Sequence, residues 1–172
     1  MSLKNDEQFY QLWLLFKQKQ DVEYFKSYLK HLLQHFDGSI DLQFKHIQEG
    51  SQLDSIPLST LPSNLLQVIR DKLEQSQSLL VENLKDDTLQ FVLDMVKVLI
   101  VLCRNHDNIA LIASCEFFRQ IIPIASAVLK KIPEFDCDTS KEKYMDLVKH
   151  TLHLGECMIT FTHGGNLFLF YS

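Results

Sequence analysis

Apolar positions recur along this chain at helical spacing, and in one stretch they crowd out almost every polar residue. Between positions 89 and 104, Gln90, Asp94, Lys97, Val101 and Arg104 fall on one narrow helical stripe. Leu89, Phe91, Val92, Leu93, Met95, Val96, Val98, Leu99, Ile100, Leu102 and Cys103 occupy the rest of the circumference. A helix that is apolar around most of its surface has to be covered on several sides. The pattern therefore predicts the inner helix of a multi-helix pack. Asn105-His106-Asp107-Asn108 is a polar stop that also offers N-caps to a following helix. That helix would bury Ile109, Ile112, Phe117, Ile121 and Ile122, bend or restart at Pro123, and continue through Ile124, Val128 and Leu129.

Other segments show the same period. Asn5 can cap a first helix, with Gln8 as its reciprocal partner and Phe9, Leu12, Trp13 and Phe16 on the buried face. Gln18-Lys19-Gln20-Asp21 reads as a turn with Asp21 as the next N-cap. A second helix to about Phe36 would bury Val22, Phe25, Leu29, Leu32, Leu33 and Phe36. So short a turn predicts an antiparallel αα-hairpin. Asp37-Gly38 closes it, glycine tolerating the left-handed cap. A polar, exposed connector follows, in which Ile40, Leu42 and Phe44 alternate without a partner strand. Leu65, Leu66, Ile69 and Leu73 mark a third helix starting at or just after Pro62. Ser76-Gln77-Ser78 would interrupt it before Leu79, Leu80 and Leu84, and Lys85-Asp86-Asp87 separates it from the inner helix. After Lys130-Lys131 and a loop at 133–138, Thr139-Ser140-Lys141-Glu142 is a capping box. It opens a last helix that buries Tyr144, Leu147, Val148, Thr151 and Leu152 and is expected to fray near Gly155.

An inner helix, an Asn-rich corner, a second helix and an Ile-Pro junction, with Asn108 four residues before Ile112, is the layout of an armadillo-type repeat. The expected fold is all-α, an armadillo/HEAT-like α-solenoid segment of about six to eight helices rather than a closed up-down bundle. Residues 1–36 form the hairpin, 37–61 the connector, 62–158 the helical repeats and 159–172 a divergent tail.

Composition narrows the function. Glycine (5) and proline (4) are too scarce for a turn-rich all-β fold. A net charge of −5 without a basic face argues against nucleic acid. Cys103, Cys115, Cys137 and Cys157 form no CxxC pair, so free thiols in a reducing compartment explain them better than zinc. The polar start from Met1 to Glu7 does not resemble a secretory signal, and no run of about 20 apolar residues would cross a bilayer. A cytoplasmic chain is expected.

His31 and His35 stand at i, i+4, a spacing that can hold a metal, but no acid completes the set and HExxH is absent. With Tyr24 and Tyr28 they form a stripe, read here as a partly exposed face or a contact for a partner. His150 and His153 near Cys157 fit a helix end better than a reactive cluster. Nucleophile-elbow, phosphate-loop and dinucleotide motifs are missing. No catalytic, cofactor or metal residue is therefore assigned, and a non-enzymatic interaction module is expected. The alternatives are a small helical metal-binding enzyme and a regulatory helical bundle. A membrane-surface helix would need a basic face, yet the helix from Asp21 sets Lys26 and Lys30 against Asp21 and Glu23.

Two segments resemble the extreme N-terminus of neurobeachin-like members of the BEACH-protein family. One is Leu12-Trp13-Leu14-Leu15-Phe16, followed by Asp21 and Tyr24 and ending at Ser39-Ile40. The other is Leu99-Ile100-Val101-Leu102-Cys103-Arg104-Asn105 with Asn108-Ile109. The resemblance covers about residues 7–156 and is carried by the pair in this order. It implies the first helical layers of a large cytosolic scaffold in vesicle traffic and protein localisation, peripheral at endomembranes through protein partners. Such proteins carry a lectin-like sandwich, a PH–BEACH module and WD40 repeats further on, none of which fits here. The tail from about Ile159 departs from the family pattern.

Solenoid ends need polar caps. Lys4, Asp6, Glu7, Gln11, Lys17 and Lys19 would cap the first helix. Leu152, Leu154, Met158, Ile159 and Phe161 leave the last one apolar, so self-association or chaperone binding through that face is expected, the alternative being a tail that folds back and covers it.

Overall fold

A computed structural model describes residues 7–35, 56–132 and 138–161. Among the described residues the regular structure is entirely helical: seven α-helices, one 3₁₀ turn and no strand. They are α1 (Glu7–Lys19), α2 (Val22–His35), the 3₁₀ turn Leu58–Thr60, α3 (Leu65–Glu82), α4 (Asp86–Leu102), α5 (His106–Ser114), α6 (Phe118–Lys131) and α7 (Asp138–Phe161). The expectations placed on Asn5, on the Phe36 to Phe44 stretch and on the tail beyond Phe161 lie outside the described residues.

Local chemistry sets the corners. Gln20 adopts φ 54°, which turns the chain out of α1, and its amide donates to the Phe16 carbonyl at 2.8 Å. Asp21 then caps α2, its Oδ1 accepting the Glu23 amide at 3.0 Å. Asn105 does the same for α5 by accepting the Asp107 amide at 3.0 Å. The bend between α5 and α6 is 79° and falls at Cys115–Phe117, where Glu116 takes φ 55°. The expected bend at Pro123 is therefore displaced. Pro123 lies inside α6 and lacks the amide that would have met the carbonyl of Arg119, an exposed residue. Ser76 does not break α3 either: it is buried in a continuous helix, and Ser78 Oγ returns its proton to the Glu74 carbonyl.

Packing centres on α4, which touches α2, α3, α5 and α7. Its polar stripe is covered in part, with Gln90 exposed and Lys97 half-buried. Asp94, Val101 and Arg104 are all buried, and Gln90 donates to Asp94 at 2.9 Å. Burial pushes the Asp94 carboxyl above its ordinary value, against the Gln90 hydrogen bond and the charges of Lys97 and Lys30.

Helices α2, α4 and α7 run in the same direction. Phe25 meets Phe91 edge-on at 5.9 Å, and further along the pair Lys30 acts on Asp94. Likewise Tyr144 reaches Asp86 near the N-terminal ends of α7 and α4, while Cys157 lies by Cys103 near their C-terminal ends. In addition α1 packs on α2, α3 on α4 and α6 on α7, and α3 and α6 pack together.

Several expectations on α7 change. The helix passes through Gly155 to Phe161, because Leu154, Cys157 and Met158 beyond and beside the glycine are buried. Leu154 and Met158 thus belong to the core rather than to an open face, whereas Leu152 is 66% exposed. Ile122 and Leu129, expected to be buried, are half exposed on α6. Within the presumed exposed connector, Ile56 and Leu61 are buried. No single helix among the described residues is long and apolar enough to cross a membrane.

Candidate functional site

The expected stripe on α2 does not survive as one surface. Tyr28 is 1% exposed, stacked on Phe9 at 4.3 Å and 18° and tilted against Trp13 at 5.1 Å. An aromatic side chain gains most by burying its ring, and α1 supplies two rings at helical spacing to receive it. Tyr28 is therefore a core residue and leaves the proposed partner surface. His31 is half-buried and also lies on Phe9, with centroids 5.5 Å apart. Tyr24 is half-buried beneath the Lys19 ammonium, 5.7 Å from its ring centre, and His35 is exposed.

Burying Tyr28 has a second consequence. Its hydroxyl is buried and finds no hydrogen-bond partner in the structure, and burial holds its pKa well above the phenol range, so it stays an O–H donor. Tyr28 forms part of a half-open groove of about 860 Å³. One wall comes from α1: Phe9, Tyr10, Trp13, Leu14 and Lys17. The other is the chain entering α3: Thr60, Leu61, Pro62, Ser63 and Asn64. The groove exists because α1 and α3 make no extensive contact, unlike α3 and α6.

Asn108 fixes the second wall. Its side-chain amide donates to the carbonyls of Ile56 at 2.7 Å and Leu102 at 2.9 Å, and its carbonyl accepts the Leu58 amide at 3.0 Å. The 3₁₀ turn follows at once, with the Thr60 amide and hydroxyl both donating to the Pro57 carbonyl. The segment preceding α3 is thereby pinned to the α4–α5 corner.

Sequence reasoning missed this groove. Tyr10, Leu14 and Lys17 do stand at i, i+4 and i+7, one step round α1 from the buried stripe that holds Trp13. Lys17 was read there only as part of a polar cap. The opposing wall had no signal in a stretch read as connector.

The remaining chemistry is quiet. Cys103 and Cys157 are buried free thiols and Cys115 is half-buried; Cys137 lies outside the described residues. Burial, with the neighbouring Cys157, pushes Cys103 well above the thiol range. Burial and Glu156 push Cys157 up to about 12 against the pull of Arg104. Such thiols are poor nucleophiles. His150 donates from Nδ1 to the Asp146 carbonyl at 2.7 Å, a bond within α7, and His153 is half-buried. Among the described residues no group of three or more His, Cys, Asp or Glu side chains is placed to hold a metal ion. No protein-family model matches the chain, and no solved structure matches it.

Proposed function

We propose that this chain is a non-enzymatic protein-interaction segment, an armadillo/HEAT-like α-solenoid whose paired helices stack to present surfaces to other proteins. The observation that carries the reading is the common direction of α2, α4 and α7, with α1, α3 and α6 packed on them. In an α-solenoid the equivalent helices of successive repeats run parallel. An up-down bundle would instead set neighbours antiparallel. Helix α5, short and turned 79° from α6, supplies the additional helix of an armadillo-type repeat. The resemblance to neurobeachin-like BEACH proteins then suggests a scaffold in vesicle trafficking and protein localisation. It would be cytoplasmic and reach endomembranes through its partners.

Proximity labelling of the full chain in the cytosol tests this role. Enrichment of vesicle-coat, tethering or cargo-sorting proteins is the expected outcome, reduced when Ile122 and Leu152 are both changed to Glu. Labelling indistinguishable from that of an inert cytosolic protein would remove the scaffold reading. Stoichiometric zinc or iron in the purified chain would favour the enzyme class instead.

A further inference from the structure

Helices α6 and α7 leave one face uncovered, and its chemistry is complementary to itself. An exposed stripe of α6 holds Arg119, Ile122, Ser126, Leu129 and Lys130. One on α7 holds Glu142, Met145, Lys149, Leu152 and Glu156. The four apolar side chains among them are at least half exposed. Phe118, at the start of α6, lies 3.9 Å from where a Cβ on Gly155 would stand, toward the end of α7. The two helices are therefore antiparallel, and this contact sets their levels. Seen down its own axis from the N-terminus, each stripe is turned clockwise from that contact, by about 70° on α6 and about 100° on α7. In antiparallel helices those turns are opposite in space. Both stripes thus lie on the same side, away from the residues buried against α3 and α4. With a rise of about 1.5 Å per residue from the contact, Ile122 is level with Leu152 and Leu129 with Met145, each within about 3 Å. By the same count Arg119 is level with Glu156 and Lys130 with Glu142. Apolar therefore stands beside apolar and cation beside anion, with Ser126 and Lys149 between.

We infer that this face binds a second copy of the chain, through a two-fold axis that runs along it parallel to α6 and α7. That axis lays α6 over α7 of the other copy at unchanged level, so each complementary pair forms between copies, and forms twice. The other axis in the plane of the face, across the helices, lays α6 on α6. It brings Arg119 to Lys130 and Glu142 to Glu156, and these like charges oppose it. Charge therefore selects one arrangement. Two helices wide, the face measures about 20 Å by about 20 Å, or about 400 Å² per copy, which makes the dimer a weak one. The inference rests on this face alone and is tested in purified chain, so it stands or falls apart from the scaffold role.

Sedimentation velocity of the purified full chain from about 5 to about 500 µM is expected to show a reversible monomer–dimer equilibrium. Two charge variants then test the pairing. The acidic one carries Arg119→Glu and Lys130→Glu; the basic one carries Glu142→Lys and Glu156→Lys. All four positions are exposed, so both variants are expected to fold. Each alone sets like charges against each other at both ends of the interface and should dimerise at least about tenfold more weakly than the original. Mixed in equal amounts, they regain opposite charges at every end pair and should form a heterodimer about as tight as the original dimer. Both variants stay net negative, starting from −5, so overall attraction does not imitate this rescue. A monomer at every concentration of the original chain, a variant that dimerises like the original, or a mixture no tighter than its components would each overturn the assignment. The first of these needs no variant.

Discussion

Asn108 on α5 donates to the carbonyl of Ile56, 52 positions earlier, at 2.7 Å, and this contact sets where the chain enters α3. The same side chain satisfies Leu102 and Leu58, so its amide orientation is fixed: reversing it would face oxygen with two carbonyls. Asn108→Ala strands the buried Ile56 carbonyl and the part-buried Leu58 amide, takes one of two donors from the Leu102 carbonyl, and opens a small void. The expected loss is about 2–4 kcal/mol in urea unfolding. The groove depends on the same anchor, so Trp13 emission in the folded variant should shift as well.

Gly155 invites a substitution that repairs rather than damages. It lies well inside α7, and a Cβ added there would meet only the Phe118 ring, at an ordinary 3.9 Å. Gly155→Ala should raise stability by about 1 kcal/mol through the entropy of the unfolded chain. A fall in the thermal midpoint would mean that α7 does not continue through this position.

Helix interiors were legible in the sequence because burial repeats at the helical period: Phe25, Leu29 and Leu32, or Leu65, Ile69 and Leu73, declare their faces. Corners were legible where a side chain makes the cap, as at Asp21 and Asn105. They were misplaced where backbone alone decides. Glu116 takes a left-handed conformation with no glycine to announce it, while Pro123 and Gly155 sit in helices whose tertiary contacts outweigh their local cost. The groove was hidden for a different reason. Its walls come from segments far apart in sequence, and Tyr28 shows an apolar or a polar character depending on which of its atoms finds a partner.

Asp94 makes the stability of α4 sensitive to acid. Its folded pKa is raised, chiefly by burial, so the protonated form is favoured in the folded state. That contribution is complete below the ordinary carboxylate value and is lost as pH rises through the folded one. Asp94→Asn, which can still accept from Gln90, should therefore be more stable than the original at neutral pH. The difference should shrink as pH falls through the raised folded value to the ordinary carboxylate one and change little below it, as urea midpoints across that range will show.

Buried thiols have a matching signature at high pH. Cys157 is raised from an ordinary 9.0 to about 12, mainly by burial, so folding favours its neutral form. This stability is present below the unfolded value and is lost as pH rises from there toward the folded one. Unfolding midpoints should fall from about pH 9 to about pH 11, and Cys157→Ala should make the fall shallower. In native protein at neutral pH a thiol reagent should reach Cys115 well before Cys103 or Cys157.

On α7, two leucines two positions apart, and so on opposite faces, should respond in opposite ways to the same chemistry. Leu152 is 66% exposed and Met145, seven positions earlier and so on the same helical stripe, is 50% exposed; Leu154 is 0% exposed. The paired change Met145→Lys and Leu152→Lys removes apolar surface that water already reaches. It should leave the unfolding free energy within about 1 kcal/mol of the original while raising solubility, if this stripe drives self-association. Leu154→Lys places a charge in a sealed core and should cost more than about 3 kcal/mol or prevent folding. Sedimentation velocity over a concentration series separates the effects. A monomer at all concentrations in the original chain would end the case for association through α7, and a tolerated Leu154→Lys would contradict the packing of α7 on α4.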